Sequence, residues 1–309
     1  MTALLFRALA LLPLPVLHAL GYALYVVVFR TVRWRVRLAR SNIAGAFPEK
    51  TPAERDAILW DSGRNLAFTT MEAIWGYGAS GEALMRRVRF DNPECIERYK
   101  AARQSVVLLT AHTCNWEWLL LAAGARFGIP IDAVYKPLRL TGVDAYVREA
   151  RSRFGGNPIP FASFLFELMR RAHEPRAYAM VADQTPLAKM PKHWTTFLNR
   201  DTAFFLGPEK IARFLDAPVL YVAMRRERLG HYAVRLHVLA EPPYELDEEE
   251  AGAQIAERYA RALEATIRAQ PADWMWIHNK WKYGRGTGQG TDRRRRKPRS
   301  AAVNSRPTA

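Results

Sequence analysis

A regular alternation of short apolar runs and helical segments, from residue 105 onward, restricts the fold more than any other feature of this chain. The apolar runs have the length and composition of buried strands and cover residues 105–110, 131–135, 177–183, 217–224 and 233–239. The segments with helical periodicity cover residues 116–128, 143–155, 163–173 and 208–216. Strands and helices that alternate at this spacing are typical of an α/β layer structure. We therefore predict an α/β fold with a mostly parallel central sheet flanked by helices.

Two further helices are predicted outside this alternating region. The first covers residues 52–76, where apolar side chains recur at helical spacing and Pro52 with Glu54 suits a first turn. The second follows the acidic residues 247–250 and ends before Pro271. The chain contains no internal repeat, so one main domain is the simplest interpretation.

The N-terminal segment over residues 3–29 is almost entirely apolar. A membrane-spanning helix needs roughly 20 apolar residues, so this segment is long enough. Five arginines follow between residues 30 and 40, and the positive-inside rule keeps such a flank in the cytoplasm. A cleaved signal peptide is disfavoured, because its basic residues should precede a shorter apolar stretch. We predict a membrane-associated helix, and Pro13 with Pro15 leaves open whether it spans the bilayer, lies in its interface or is buried against the domain.

Positive charge is concentrated at the two ends of the chain. The formal net charge is +16; residues 1–48 hold six arginines and no acid, residues 291–309 contribute another +6, and residues 49–290 only +4. Basic ends suit an anionic membrane surface or nucleic acid. A membrane-tethered protein that binds nucleic acid or another anionic surface is therefore a second functional class. No nucleic-acid recognition motif accompanies the arginines, so nucleic acid is not the expected partner.

Cysteine usage excludes a fold held together by disulfides or structural zinc. Cys95 and Cys114 are the two cysteines, with no CxxC pair and no Cys/His ligand spacing. We expect both thiols to be reduced, in a main domain that faces the cytoplasm. The predicted organisation is a membrane anchor with its basic flank over residues 1–48, one domain over 49–283 and a disordered basic tail over 284–309.

The segment AHTCNWEW (residues 111–118) holds the strongest candidate for chemistry. A predicted strand ends at Thr110, His112 follows in the connection, and a helix begins near Asn115. In open α/β sheets, ligands bind beyond the carboxyl ends of the strands. Glu117 could place its carboxylate on one imidazole nitrogen and leave the other as a general base. The same residues also fit a turn histidine and a first-turn acid that favours the helix dipole.

Six segments, in order across residues 1–283, place this pair in a wider pattern. They are RSNIAGAFPEKTPAER (40–55), AHTCNWEW (111–118), VYKP (134–137), VADQTP (181–186), LNRDTAFFLGPEKIARFLDAPVL (198–220) and WMWIHNKWK (274–282). Together they resemble the late (secondary) acyltransferases of lipid A biosynthesis, within the lysophospholipid/glycerolipid acyltransferase superfamily and its His-x4-Asp/Glu motif. The resemblance implies an acyltransferase-like α/β domain and transfer of a fatty acyl group from a thioester of acyl carrier protein or coenzyme A to a hydroxyl of a lipid acceptor.

The resemblance also implies roles for individual residues. His112 is expected to act as the general base with Glu117 as its partner, and Asp183 to be the acid of a second functional block. Arg151 or Arg153 is expected to bind an anionic group, either a phosphate of the acceptor or the donor's phosphopantetheine arm. No cofactor and no metal is expected. The enzyme is expected at the bacterial inner membrane, with its catalytic domain facing the cytoplasm.

The acceptor and the donor stay open at this point. Lipid A enzymes often carry Asp-His where this chain has Asp183 followed by Gln184. A lipid A precursor is therefore the first expectation and a lysophospholipid or another hydroxylated lipid the second. A basic surface favours an acidic carrier protein as the donor. A thioesterase with the same layout is a further alternative.

Three other residues fit packing better than chemistry. Cys114 could be a nucleophile beside His112, but a small side chain that packs at a helix start is commoner. His193 and His278 could bind a metal, but they lack the spacing of paired metal ligands.

Two groups of apolar residues are assigned to packing or to substrate. The C-terminal tryptophans are expected in the core or at a membrane interface rather than around a cofactor; they are Trp274, Trp276 and Trp281. The second group could line an acyl pocket or belong to the core; it contains Phe161, Phe164, Leu165 and Phe166.

Overall fold

A central sheet with helices on both faces forms the molecule over residues 2–244 and 248–284, which the computed structural model describes. The helices are α1 (Thr2–Ala10), α2 (Leu14–Tyr25), α3 (Val36–Ala46), α4 (Pro52–Gly78), α5 (Gly81–Met85), α6 (Glu94–Ala101), α7 (Trp116–Phe127), α8 (Thr141–Arg151), α9 (Phe164–Arg171), α10 (Pro208–Leu215) and α11 (Glu248–Ala269). The strands are β1 (Val88–Phe90), β2 (Val106–Thr110), β3 (Ile131–Tyr135), β4 (Gly156–Pro160), β5 (Ala177–Val181), β6 (Lys192–Phe197), β7 (Arg200–Phe205), β8 (Val219–Arg228) and β9 (His231–Ala240). The predicted disordered tail over 284–309 lies outside these residues, apart from Gly284.

Seven of these strands pair in the order β1-β9-β8-β2-β5-β3-β4, and β6 with β7 forms a separate antiparallel hairpin. Neighbouring strands from β8 through β2, β5 and β3 to β4 run parallel. The β8–β9 hairpin is antiparallel and β1 runs parallel to β9. The predicted α/β fold with a mostly parallel sheet is confirmed. Its parallel arrangement brings the carboxyl ends of β2, β5, β3 and β4 to one edge of the sheet.

Four of the strands in the described residues were not predicted, and the reason is clearest in β4. Its sequence GNPIP contains two prolines and a glycine, which are tolerated because β4 is the last strand of the sheet and uses one side only for pairing. The helix predicted over 143–155 ends four residues early, at Arg151. Phe154 and Gly155 then adopt φ of 55° and 85°, which ends the helix and directs the chain into β4.

The N-terminal apolar segment forms two helices rather than one. Pro13 separates α1 from α2, and α2 continues as a π-helical turn over Val26–Thr31. The continuous stretch Leu14–Thr31 is long and apolar enough to cross a membrane, and 28% of it is buried inside the protein. It packs against α4, whose start is fixed by a capping box between Thr51 and Glu54.

The core is divided between the two faces of the sheet. Alternate residues of β2 point to opposite faces, as strand geometry requires: Val107 and Leu109 join one apolar cluster and Val106 joins the other. The first cluster also contains residues from 25 to 47, so this part of the predicted anchor region packs into the main core.

Candidate active site

The connection between β2 and α7 presents His112 at the carboxyl edge of the sheet, as predicted. Asn115 is the N-cap of α7, and its side chain accepts a hydrogen bond from the Trp118 amide at 3.0 Å. Cys114 adopts φ of 51°, a left-handed conformation that turns the chain sharply between strand and helix. This local geometry leaves the His112 side chain 17% exposed while its neighbours Thr113 to Asn115 are buried.

The imidazole of His112 pairs with Asp183, which follows β5. The Nδ1 atom of His112 lies 2.7 Å from Oδ1 of Asp183, and the His112 amide donates to Oδ2 at 3.1 Å. Trp274 Nε1–H donates to the same Oδ2 at 2.8 Å. A carboxylate that faces Nδ1 stabilises the tautomer with the proton on that nitrogen, so Nε2 carries the lone pair. The Gln184 side-chain nitrogen is 3.4 Å from Nε2.

Buried charges surround this pair. Burial alone would raise the pKa of Asp183, but the charge and hydrogen bond of His112, with Trp274 and Lys280, hold it well below its ordinary value. Burial lowers the pKa of Lys280 to about 7, although the charge of Asp183 opposes this shift. Burial likewise lowers the pKa of His278 to about 4, so this ring is neutral and accepts from the Thr185 amide. Because its own pKa is held so low, Asp183 is an ionised carboxylate at every physiological pH.

Glu117 lies in the first turn of α7, as predicted, but its hydrogen bonds go to other partners than His112. Its two oxygens accept from Arg151 Nη2 at 2.5 Å and Nε at 2.9 Å, a bidentate ion pair. A third hydrogen bond comes from Trp116 Nε1 at 3.2 Å, and the Trp116 ring stacks edge-on against His112 with centroids 5.0 Å apart. The expected contact between the Glu117 carboxylate and the imidazole is thus replaced, in the described structure, by a contact through Trp116.

The two candidate arginines separate in space. Arg151 belongs to the site, because it donates two hydrogen bonds to Glu117. Burial would lower the pKa of Arg151, but the hydrogen bonds and charge of Glu117 raise it above the ordinary value. Arg153 donates instead to the carbonyls of Tyr77 at 2.6 Å and Ala79 at 2.8 Å. Tyr77 lies in the last turn of α4 and Ala79 is its C-cap, and free carbonyls at a helix C-terminus attract a cation. Arg153 therefore stabilises a helix end, and of the two only Arg151 contacts the other candidate site residues.

The segment that carries His112 is held from the C-terminal side. The Cys114 amide donates to Asp273 O at 2.8 Å, and the Met275 amide donates to His112 O at 3.2 Å. Thr113 and Trp274 form an isolated antiparallel bridge between these two hydrogen bonds. Residues 273–275 thus act as a short strand that fixes the backbone on either side of the histidine.

A buried carboxylate holds the same segment from below. Glu72 of α4 is fully buried and accepts from Asn115 Nδ2 at 3.0 Å, while His18 Nε2 of α2 lies 3.0 Å from its other oxygen. Tyr232 donates a third hydrogen bond. Burial would raise the pKa of Glu72, but these hydrogen bonds, together with the charge of Arg226, lower it. The N-cap of α7 is therefore tied to the N-terminal helices through one ionised group.

Cys114 and His193, which we expected to serve packing rather than chemistry, make contacts that fit this expectation. Cys114 is buried, its thiol faces Met224 O at 3.3 Å, and burial raises its pKa well above the ordinary value; these features favour packing over nucleophilic chemistry. His193 pairs with Glu257 at 3.0 Å. Across residues 2–244 and 248–284, no three His, Cys, Asp or Glu side chains converge as metal ligands would.

Sequence reasoning did not assign the roles of Trp274 and Lys280. Trp274 is 4% exposed, as expected of a core residue, yet it also donates directly to Asp183. Lys280 is 2% exposed and donates to Ala203 O at 3.1 Å. Both lie in the segment WMWIHNKWK, but nothing local in that segment indicates that it crosses the end of β5. Phe164 is buried, whereas Phe161, Leu165 and Phe166 are exposed.

Comparisons with known proteins agree with this arrangement. The family model for bacterial lipid A biosynthesis acyltransferases matches residues 1–283. The chain is similar to the lipid A biosynthesis palmitoleoyltransferase of Escherichia coli strain K12, at 22% identity over 279 residues, 88% of this chain and 86% of that protein. It is also similar to the lauroyltransferase of the same organism, at 23% identity over 278 residues, 88% of this chain and 87% of that protein. A lipid A biosynthesis acyltransferase of Haemophilus influenzae is 22% identical over 247 residues, 77% of this chain and 73% of that protein.

These matches confirm the resemblance found in the sequence, because the family model covers all of the chain up to residue 283. They also confirm that the chain is an enzyme of the acyltransferase class. The chain belongs to the bacterial lipid A biosynthesis acyltransferase family.

Proposed function

We propose that this enzyme transfers a fatty acyl group from an acyl thioester to a hydroxyl of a lipid A precursor, with His112 as the general base. The observation that carries the proposal is the pairing of His112 Nδ1 with the buried Asp183 at 2.7 Å. A base oriented in this way has its lone pair on Nε2, at the edge of the sheet where α/β enzymes bind ligands. Membership of the family supplies the reaction class.

In the proposed reaction, Nε2 of His112 removes the proton of the acceptor hydroxyl as its oxygen attacks the thioester carbonyl. The Asp183 carboxylate stabilises the imidazolium that forms. The tetrahedral intermediate then collapses, the carbon–sulfur bond breaks, and the imidazolium returns its proton to the departing thiolate. The products are the ester and the free thiol of the carrier. The thioester supplies the activated acyl group, so these steps use no cofactor and no metal.

The oxyanion of the intermediate needs donors that are in place before the reaction. The first-turn amides of α7 at Trp116 and Glu117 precede the first intrahelical hydrogen bond, so helix geometry leaves them without an acceptor in the helix. The positive end of the helix dipole adds to their effect. We assign the oxyanion to these amides.

Glu117 and Arg151 form the second half of the proposed site. The bidentate pair fixes the guanidinium, and Arg151 retains donors for a phosphate of the acceptor or of the donor's phosphopantetheine arm. Glu117 is thereby proposed to act on substrate through Arg151, and through Trp116 on the orientation of His112. The supporting observation is that Trp116 contacts both side chains.

The donor and the location follow from charge and from the N-terminal helices. Excess positive charge favours an acidic acyl carrier protein over coenzyme A. The apolar stretch Leu14–Thr31, followed by arginines, supports attachment to the bacterial inner membrane with the domain in the cytoplasm.

Mass spectrometry of membrane lipids after deletion of the gene tests this function. Restoration uses either the wild type or the His112→Ala variant, with a Phe214→Ala variant as a matched exposed control. Lipid A should be lighter by one acyl chain in the deletion strain and return to full mass with the wild type and the control only. Unchanged lipid A with a shift in phospholipids would replace the acceptor by a lysophospholipid. Full restoration by His112→Ala would remove the proposed base.

A further inference from the structure

Six large apolar side chains are exposed on the two segments that follow the neighbouring strands β3 and β4. Their exposed fractions lie between 45% and 67%, and we name this surface the edge patch. It consists of Leu138, Leu140, Phe161, Leu165, Phe166 and Met169. Large exposed apolar side chains grouped on neighbouring segments indicate contact with a partner or a membrane.

The edge patch adjoins the proposed active site through the sheet topology. It follows the carboxyl ends of β3 and β4, while His112 and Asp183 follow β2 and β5, and β5 lies between β2 and β3. The loop that carries Leu138 is fixed to α8, because its amide donates to Asp144 Oδ1 at 2.7 Å. Helix α8 also carries Arg151, whose guanidinium lies 5.8 Å from the ring of Tyr135 at the end of β3. The edge patch is thus attached to α8, the helix that carries Arg151 of the proposed site.

Helix α9 shows that the patch is more than a few stray side chains. Its inward face is complete, with Phe164 and Leu168 buried against the sheet. The opposite face should be polar in a helix that meets water. Here Leu165, Phe166 and Met169 stand there instead, at 65%, 64% and 57% exposure.

We propose that the edge patch inserts into the surface of the bilayer that holds the acceptor, as a membrane contact separate from helix α2. This inference rests on the proposed function, since an acceptor that is a membrane lipid must reach His112 from the bilayer. Two contacts, on the N-terminal helices and on the edge patch, fix the orientation of the enzyme. The opening of the site then faces the lipid surface.

Continuity with the N-terminal apolar surface identifies a bilayer as the occupant. Helix α1 lies along α8, with Phe6 stacked on Tyr146 and Arg7 paired with Glu149 at 2.6 Å. The two helices therefore run in the same direction, and the N-terminal end of α1 lies towards the start of α8. Helix α8 begins directly after Leu140 of the edge patch. The start of α1 exposes Leu4 and Leu5, at 70% and 59%.

Charge at the rim of the patch fits anionic headgroups. Lys136 and Arg139 lie on either side of Leu138 in the chain and are exposed. Arg170 follows Met169 in α9, but its charge is offset by an ion pair with Glu167 at 2.7 Å. An apolar surface with basic residues at its border is the pattern of segments that lie in the membrane interface. An acidic carrier protein would meet the same basic residues, but it would not explain the continuity with α1.

Fluorescence quenching by lipids tests the contact directly. The full-length enzyme carries Cys95→Ala and one new cysteine for an environment-sensitive label, Phe166→Cys or the matched control Phe214→Cys. Phe214 is 59% exposed and lies just before β8, at the opposite edge of the sheet. In vesicles of phosphatidylethanolamine and phosphatidylglycerol, spin-labelled lipids should quench the label at position 166 and leave that at 214 unchanged. A label at position 5 (Leu5→Cys) reports that the enzyme is bound.

Quenching at position 5 without quenching at 166 would overturn the proposal. A response at 166 to acyl carrier protein, but not to vesicles, would also overturn it and make the patch a docking surface for the carrier. Quenching at 166 in an enzyme that acylates no lipid would instead retain the membrane contact and reject the proposed function.

Turnover separates the role of the patch from folding. The double variant Leu165→Glu with Phe166→Glu should lose roughly tenfold or more in turnover of acceptor embedded in vesicles, a loss of about 1.4 kcal/mol or more. It should match the wild type with a water-soluble, short-chain acceptor analogue. Phe214→Glu should leave both rates unchanged. Equal loss with both acceptors would assign the effect to the site itself and reject a bilayer contact.

Discussion

Replacement of Asp183 by asparagine tests the arrangement of the site most directly. In the wild type, Oδ2 accepts two N–H groups, from the His112 backbone and Trp274, and Oδ1 accepts the imidazole Nδ1–H. An asparagine has one accepting oxygen and one NH₂ group that only donates. If the asparagine oxygen accepts from the His112 amide and from Trp274, its NH₂ group faces Nδ1 of the His112 ring. The imidazole must then carry its proton on Nε2, which can no longer act as a base.

The magnitude follows from the alternative orientation of the amide. To restore the productive tautomer, the NH₂ group would have to face two buried N–H donors and leave them without an acceptor. Asp183 is 3% exposed, so solvent offers little compensation, and each unsatisfied donor costs about 1–3 kcal/mol. The two donors together cost about 2–6 kcal/mol, which lowers the active fraction roughly 30- to 25,000-fold. Loss of the carboxylate that stabilises the imidazolium adds to this, so kcat for Asp183→Asn should fall by at least about 10²-fold.

Steady-state kinetics with the purified enzyme in lipid nanodiscs, acyl carrier protein thioester and lipid A precursor measures this effect. Melting of the variant, followed by circular dichroism, shows whether it folds. The matched variant Glu117→Gln removes charge from the pair with Arg151 and leaves every hydrogen bond of Asp183 intact. It should raise KM for the substrate more than it lowers kcat. A kcat within threefold of the wild type for Asp183→Asn, with a hundredfold loss for Glu117→Gln, would refute the pairing of His112 with Asp183.

Three further predictions concern buried groups around the site. The pKa of Lys280 is about 7 in the folded protein against an ordinary 10.5, so the unfolded chain binds this proton more tightly. The unfolding free energy of the wild type, compared with that of Lys280→Met, should therefore rise by up to about 1.4 kcal/mol per pH unit between pH 7 and 10. Denaturant titrations at each pH measure this difference. Glu72→Ala removes the acceptor of the buried Asn115 and Tyr232 donors and of the partly buried His18 ring, and should cost at least about 2 kcal/mol in the same assay; an unchanged midpoint would show that water replaces the carboxylate. Gly76→Ala places a methyl carbon 2.4 Å from Trp118 Nε1, which should cost about 1–3 kcal/mol in thermal unfolding, whereas Gly142→Ala meets no atom within 4 Å and should not destabilise.

The spacing of apolar residues predicted the positions of most helices and strands well, but it predicted their end residues less well. The strands predicted at 105–110, 131–135, 177–183, 217–224 and 233–239 all form, since short, mainly apolar runs between helical segments are typical of buried strands. Strands β6 and β7 escaped prediction because their sequences KHWTTF and RDTAFF mix polar and aromatic residues. They are stabilised by pairing with each other and by packing on α11, which no short window reveals.

Within the site, local sequence predicted the position of His112 and the start of α7. Both depend on residues within a few positions: an apolar strand that ends at Thr110, and an asparagine whose side chain caps the helix at Asn115. It did not predict which carboxylate meets the imidazole. Glu117 is near His112 in sequence, but in the folded protein its carboxylate pairs with Arg151 instead.

The sequence by itself determined the class of fold, the family, and the segment that bears the histidine, because periodicity, caps and motif residues are local properties of the chain. Only the tertiary structure decided that Asp183, 71 residues away, is the partner of His112, and that Trp274 and Lys280 surround it. The physical reason is strand order. Because β5 pairs beside β2, the residues that follow these two strands meet at one edge, and strand order is set by the packing of the whole sheet rather than by any segment within it.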